Sequence, residues 1–322
     1  MSRLSSTLLL LLGLEGPVAA QAPAAFAWIQ PSGGYTVFGH TEYVTNTVVD
    51  SVRAAAKTSA GLAAGLSSWP AEMYCGGPAS AAMQSLDPRS VLRRLQLAAQ
   101  CGVRLVIVPP RRFLTTTGGP RGVFSVDSAK HLTDRYAAVL PADTIRKYRA
   151  SIIGLNLGDD YGCLDCWGGK AITRQQIAAW ADYTRKKLPG IPLGVRVTPD
   201  WVEKDAKLAP LLDYAWAQYH TGKGDPGKYF DTAATVAQRL GIRVVMGVNV
   251  ENCHGTDDGA CNSEELARFG SLAVSHPASC AFISWRYDED TWQRPGIQEA
   301  WSGLLKTARG RPAQACRRVG SA

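Results

Sequence analysis

From residue 91 to residue 308 the spacing of apolar residues switches back and forth between the helical and the extended period, with glycines, prolines or capping residues at many of the switches. Ser90 caps a helix over 91–100, in which Leu92, Leu95 and Ala99 share one stripe and Gly102 is the stop; a buried strand over 103–108 follows and ends at Pro109-Pro110. Helical pattern returns over 132–140 and 145–148, and a strand opens at Ser151. Beyond it the reading is regular: helices over 174–188, 201–212, 229–240, 263–274 and 296–308 alternate with strands over 191–197, 214–219, 242–250 and 281–287. Such alternation predicts a parallel α/β arrangement. No Gly-rich dinucleotide fingerprint follows a strand and no GxxxxGK[ST] run occurs, so a closed (β/α)8 barrel is favoured over a doubly wound nucleotide-binding sheet. The barrel is placed over 60–310 as a single domain, followed by a tail over 311–322. Its first strand is sought in the extension over 21–59, at 26–30 or 35–38, with a helix over 48–57. GLAAGLS at 61–67 then becomes the second strand, 103–108 the third and the stretch from Ser151 the fourth.

The 322 residues match one barrel plus extensions. Residues 1–20 read as a secretory signal, with Arg3, an apolar run over 8–12 and Val18-Ala19-Ala20 before Gln21. The expected mature protein is secreted or periplasmic, with no membrane insertion after cleavage. Eight cysteines suit an oxidising compartment. Cys163 and Cys166, Cys253 and Cys261, and Cys280 and Cys316 are placed to pair, whereas Cys75 and Cys101 are expected to lie too far apart, one above a strand and the other below a helix. The formal charge of +8 is spread along the chain, which gives no footprint for nucleic acid. With five histidines and no HxH, HExxH or GxSxG, neither a metal centre, a cofactor nor a serine nucleophile is expected.

The stretch SIIGLNLGDDYGCLDCWGG places Ile153, Leu155 and Leu157 on a helix-facing side. Gly154, Asn156, Gly158 and Asp160 fall on the interior side, which puts Asp160 at the barrel mouth. In the strand over 191–197 the same parity turns Gly194 and Arg196 inward; in that over 242–250 it turns Gly247, Asn249 and Glu251 inward. The strand over 214–219 offers Gln218 and His220 on one face or Tyr219 on the other, and the last offers Arg286 and Asp288 or Trp285. A polar excursion over 111–127 is expected above the mouth. Two carboxylates across an aromatic-lined cleft are what glycoside hydrolysis needs: one protonates the leaving oxygen, and the other attacks the anomeric carbon or activates water. Asp160 and Glu251 are the catalytic candidates. Asp159, Trp167, Arg196, Gln218, Tyr219, His220, Asn249, Trp285, Arg286 and Asp288 are the candidates for holding an oligo- or polysaccharide.

The runs IIGLNLGDDYG, GVRVTPDWV, LDYAWAQYHTGKGD, VVMGVNVENC and CAFISWRYD resemble, in order over about 90–310, secreted bacterial proteins of the glycoside hydrolase-like TIM-barrel superfamily. In the large retaining clan of that superfamily the acid/base is a Glu after strand 4, the nucleophile a Glu after strand 7, and a Trp ends strand 8. Carried over, the resemblance implies Asp160, Glu251 and Trp285 in those places. Gly158-Asp159-Asp160-Tyr161 departs from the clan's Asn-Glu-Pro, and Asp is one methylene shorter than Glu. A catalytically inactive carbohydrate-binding barrel and a structural exported protein are the alternatives. The latter requires the carboxylates to be consumed in ion pairs, Asp160 with Arg196 or Glu251 with Arg286.

Overall fold

The computed structural model describes residues 61–117, 122–255 and 259–320. The signal over 1–20, the strand candidates at 26–30 and 35–38 and the helix over 48–57 lie outside the described residues, as does the tip of the excursion at 118–121.

Eight parallel strands close into a barrel in chain order: β1 (Ala63–Ser67), β2 (Ala81–Ser85), β3 (Arg104–Val108), β4 (Ile152–Asn156), β5 (Leu193–Val195), β6 (Tyr214–Tyr219), β7 (Arg243–Val248) and β8 (Ser279–Ser284). GLAAGLS therefore supplies the first strand and not the second. The second is AAMQS, which carries no β-branched or aromatic residue to mark it. Helices α1 (Val91–Gln100), α2 (Val126–Val139), α3 (Ala142–Lys147), α4 (Arg174–Lys187), α5 (Pro199–Glu203), α6 (Pro226–Leu240), α7 (Ser263–Ser275), α8 (Glu289–Trp292) and α9 (Ile297–Arg309) connect and follow the strands. Capping boxes start α4, between Thr173 and Gln176, and α7, between Asn262 and Glu265. The helix expected over 201–212 is shorter: after α5, Asp205 Oδ1 accepts from the Lys207 N–H at 2.9 Å in a local turn. Pro210, which has no N–H to donate, then allows only a 3-10 turn over Ala209–Leu211.

Side chains alternate between two packed layers. Leu66, Leu105, Leu155, Leu193, Val195, Val244, Met246, Val248 and Phe282 face the helices, while Ala63, Ala81, Met83, Val106, Tyr214, Trp216, Val245 and Ile283 fill the barrel. A register shift between β3 and β4 pairs Leu105 with Ile152 but Val106 with Gly154. The extra residue sends Ile152 to the helix side and Ile153 to the interior, opposite to the expected parity for Ile153; parity resumes at Leu155.

Tyr214 fills the barrel because its neighbours have no side chains. A Cβ on Gly194 would come within 2.1 Å of the Tyr214 ring, and one on Gly154 within 2.4 Å. Gly194→Ala is accordingly expected to cost about 1–3 kcal/mol by forcing that ring out of place. Denaturant unfolding checks it, with Gly162→Ala, where the Cβ meets nothing within 4 Å, as the tolerated control.

All eight cysteines pair: 75 with 101, 163 with 166, 253 with 261 and 280 with 316. The Cys75–Cys101 bridge, with Cα atoms 4.7 Å apart, corrects the expectation that these two lie too far apart. Because β2 begins at Ala81, Cys75 sits on the segment descending toward the base of the barrel, where Cys101 caps the end of α1. Four disulfides are consistent with an extracellular or periplasmic protein. Among the described residues no helix is long and apolar enough to cross a membrane.

Candidate active site

The loops leaving the C-terminal ends of the strands converge on one face, and two carboxylates stand there on opposite sides of the barrel, after β4 and after β7. The first of them is not the expected one. Gly158, with φ of 87°, and Asp160, with φ of 51°, both adopt left-handed backbone, so strand alternation ends before it reaches the Asp pair. Asp159 turns inward: its side chain is 19% exposed, Oδ2 accepts from Arg196 Nη1 beyond β5, and Oδ1 accepts from the Asp160 N–H at 2.8 Å. Asp160 is 51% exposed and accepts from Arg111 Nη2 at 3.1 Å, beside the end of β3.

Burial pushes the Asp159 carboxyl up to about 6. The Arg196 charge opposes this, the Asp160 charge adds to it, and the Asp160 N–H and the Arg111 charge pull it back down in smaller measure. A carboxyl in that range carries a proton in mildly acidic water and is suited to proton donation.

Across the barrel Glu251 is gripped by both arms of one guanidinium: Arg286 Nε donates to Oε2 at 2.7 Å and Nη2 to Oε1 at 2.9 Å. Trp285, the preceding residue, faces the mouth, and the Trp285–Arg286 peptide is cis. The Arg196 guanidinium lies between two indoles, 3.8 Å from the Trp285 ring centroid and 4.6 Å from that of Trp216, with Nη2 3.5 Å from Gln218 Oε1. Asp159, Arg196, Gln218 and Trp285 thus form one connected floor to the mouth.

The remaining candidates divide. Tyr219 points away from the site: it is 2% exposed, packs on Phe230 and Phe269, and donates its hydroxyl to the Gly224 carbonyl at 2.6 Å. Tyr214 and Trp216 set the parity of β6, which brings Gln218 in. Trp167 is 1% exposed, donates Nε1 to the Asp159 and Asp160 carbonyls at 3.2 and 3.0 Å and packs edge-on against Phe124. It pins the carboxylate loop and has no face free for a sugar. His220 lies just past β6 beside Gly222 and Gly255, where a Cβ on Gly255 would come within 2.5 Å of its Nδ1. Burial, with the Lys223 charge, lowers its pKa. Asn249 Oδ1 fastens the β7 loop by accepting from the Asn252 N–H at 2.9 Å, and Asp288 Oδ1 caps α8 through the Thr291 N–H at 2.9 Å. Within the excursion Thr115 pairs with Phe124, and residues 126–127 belong to α2. A depression of about 620 Å3 lined by Arg111, Asp165, Cys166, Gly168 and Gly169 lies against the β4 loop.

Sequence reading missed Arg111 and the part played by Trp216. The adjacent Arg111-Arg112 pair at the end of a barrel strand was a signal for the first. Trp216 reads from sequence as packing alone, since its contact with Arg196 depends on tertiary placement.

No protein-family model matches the sequence, and no curated protein matches it. Among solved structures, the endo-beta-1,4-mannanase double mutant of Cellulomonas fimi superposes with a TM-score of 0.56 at 10% identity, covering 83% of this chain and 77% of that one. SrfJ from Salmonella typhimurium gives 0.51 at 13%, covering 79% and 77%. A beta-galactosidase from the psychrophilic Marinomonas ef1 gives 0.50 at 11%, covering 76% and 59%. At such identities the likeness is one of fold: the chain is a (β/α)8 TIM barrel, the architecture it shares with the mannanase and the galactosidase.

Proposed function

We propose that this protein hydrolyses O-glycosidic bonds in an oligo- or polysaccharide, with Asp159 as proton donor and Glu251 as the second carboxylate. The observation that carries this reading is the difference between the two groups at one barrel mouth. Burial holds Asp159 in the range of a usable acid, while both oxygens of Glu251 accept from Arg286, as suits a group that must act as an anion. Asp159 takes the role that the sequence resemblance assigned to Asp160. Asp159 protonates the leaving oxygen, Glu251 attacks the anomeric carbon or takes a proton from the attacking water, and the exposed part of Trp285 offers apolar surface to a sugar ring. A mannanase and a galactosidase on the same fold agree with a carbohydrate substrate without naming which one.

A second reading, a structural exported protein without hydrolysis, is favoured by one feature: all four carboxyl oxygens of Asp159 and Glu251 already accept hydrogen bonds from protein donors, Arg196 and Arg286 among them. Release of reducing sugar from a panel of polysaccharides and aryl glycosides separates the two. For hydrolysis, the donor must be protonated, so kcat/KM is expected to fall tenfold per pH unit as pH rises above about 6. No turnover at any pH and no glycan binding would establish the structural role instead, and glycan binding without turnover the binding barrel.

A further inference from the structure

Arg196 is held more tightly than a residue awaiting substrate needs to be. Its side chain is 11% exposed, its guanidinium lies between the Trp216 and Trp285 rings, and its hydrogen-bonding arms point to Asp159 and Gln218. Those four partners come from β6, from the end of β8 and from the loop after β4, so the guanidinium bridges the mouth and cannot turn toward a ligand without leaving both indoles. A planar cation stacked between two rings loses little freedom on binding a carboxylate, because its orientation is already set.

We propose that Arg196 is a positioning residue for Asp159: clamped between two tryptophans, it fixes one carboxyl oxygen in place at the barrel mouth and supplies the cation that this carboxyl faces. The proposal rests on the hydrolytic reading for its consequence in catalysis, but its physical content does not. The other charged and titratable groups facing Asp159 are Asp160 and Tyr161 on its own loop and Arg111 from the end of β3. Arg111 is already engaged by Asp160 and lies 5.0 Å from the Trp167 ring centroid, which leaves Arg196 as the cation in direct contact with Asp159. Gln218, 3.5 Å from the guanidinium, carries no charge to replace it.

Arg196→Met keeps an unbranched chain between the indoles and removes the charge; Arg196→Lys keeps the charge and loses the planar fork. The midpoint of Asp159 is read from carboxyl-carbon NMR titration of the whole protein, assigned with Asp159→Asn, and the alkaline limb of kcat/KM is followed in parallel. Loss of the cation is expected to move the midpoint upward from about 6 by about one pH unit or more in the Met variant, and by less in the Lys variant. The alkaline limb should move with it. A midpoint unchanged in the Met variant overturns the proposal. Should that variant not fold, an unchanged midpoint in the Lys variant overturns the clamping role. Failure of the hydrolytic reading appears separately, as absence of turnover in the wild type with the NMR midpoint still responding to position 196.

Discussion

Asp159→Asn is expected to lower kcat/KM on the best substrate by about 10²- to 10⁴-fold, while Asp160→Asn leaves it nearly unchanged. The two positions differ by one residue and carry the same side chain, so the contrast tests geometry and not chemistry. Asp159 is drawn inward by Arg196 and lies mostly under cover, which is what raises its affinity for a proton. Asp160 is half exposed against Arg111. Asparagine is nearly isosteric and preserves the acceptor for the Asp160 N–H, but it leaves the Arg196 charge with a weaker partner, so both variants are compared at matched fractions folded. Glu251→Gln is the companion, expected to be as damaging as Asp159→Asn because the second carboxylate is equally required. Activity that survives in Asp159→Asn and vanishes in Asp160→Asn would return the donor role to the exposed carboxylate, and with it the parity first read for β4.

Why the alternation read for β4 turned the other aspartate inward while most of the barrel followed expectation has a physical answer. Parity is a local property of extended backbone, and it succeeded wherever the strand stays extended to the functional residue. Leu193 and Val195 pack outward as expected, Gly194 lies against Tyr214, and Arg196 reaches the mouth two positions later. It failed where the backbone leaves that geometry. The bulge reversed Ile153, and the left-handed residues at 158 and 160 exchanged the two aspartates. A glycine directly before an Asp pair is the one sign in the sequence that the alternation stops there. Tyr219, whose face in β6 alternation alone left open, and Trp167, in the loop after β4, share a different difficulty: a large aromatic there serves a sugar or a core equally well, and only the facing residues, Phe269 for one and Phe124 for the other, decide. The Cys75–Cys101 pairing depended on β2, a strand too small and polar to announce itself.

Removal of the Cys280–Cys316 bridge by the double substitution Cys280→Ala/Cys316→Ala is expected to cost about 4 kcal/mol, the value that loop-closure entropy assigns to a bridge spanning 36 positions. The chain after α9 is bound to the base of the barrel along its length. Arg311 donates to the Val274 carbonyl and Arg317 to that of Gly190; Arg318 donates Nη1 to the Ala209 carbonyl at 2.8 Å and its N–H to Asp213 Oδ1 at 3.0 Å. Asp213, 2% exposed, also accepts from Arg185 at 2.9 Å and from the Leu193 N–H at 2.8 Å, so the tail shares its anchor with β5. Cys316 is 4% exposed and packs with the interior cluster of the barrel, which makes residues 311–318 a floor and not a loose end. Cys163 and Cys166 are three positions apart, so the same entropy gives that bridge about 2 kcal/mol, and removing it is expected to cost roughly half as much. Urea unfolding of the two double-alanine variants, with the slope of the transition compared to the wild type, measures both terms. If opening the short bridge costs as much as opening the long one, the tail contributes nothing through chain entropy, and the polar contacts of Arg311, Arg317 and Arg318 must hold the floor without the disulfide.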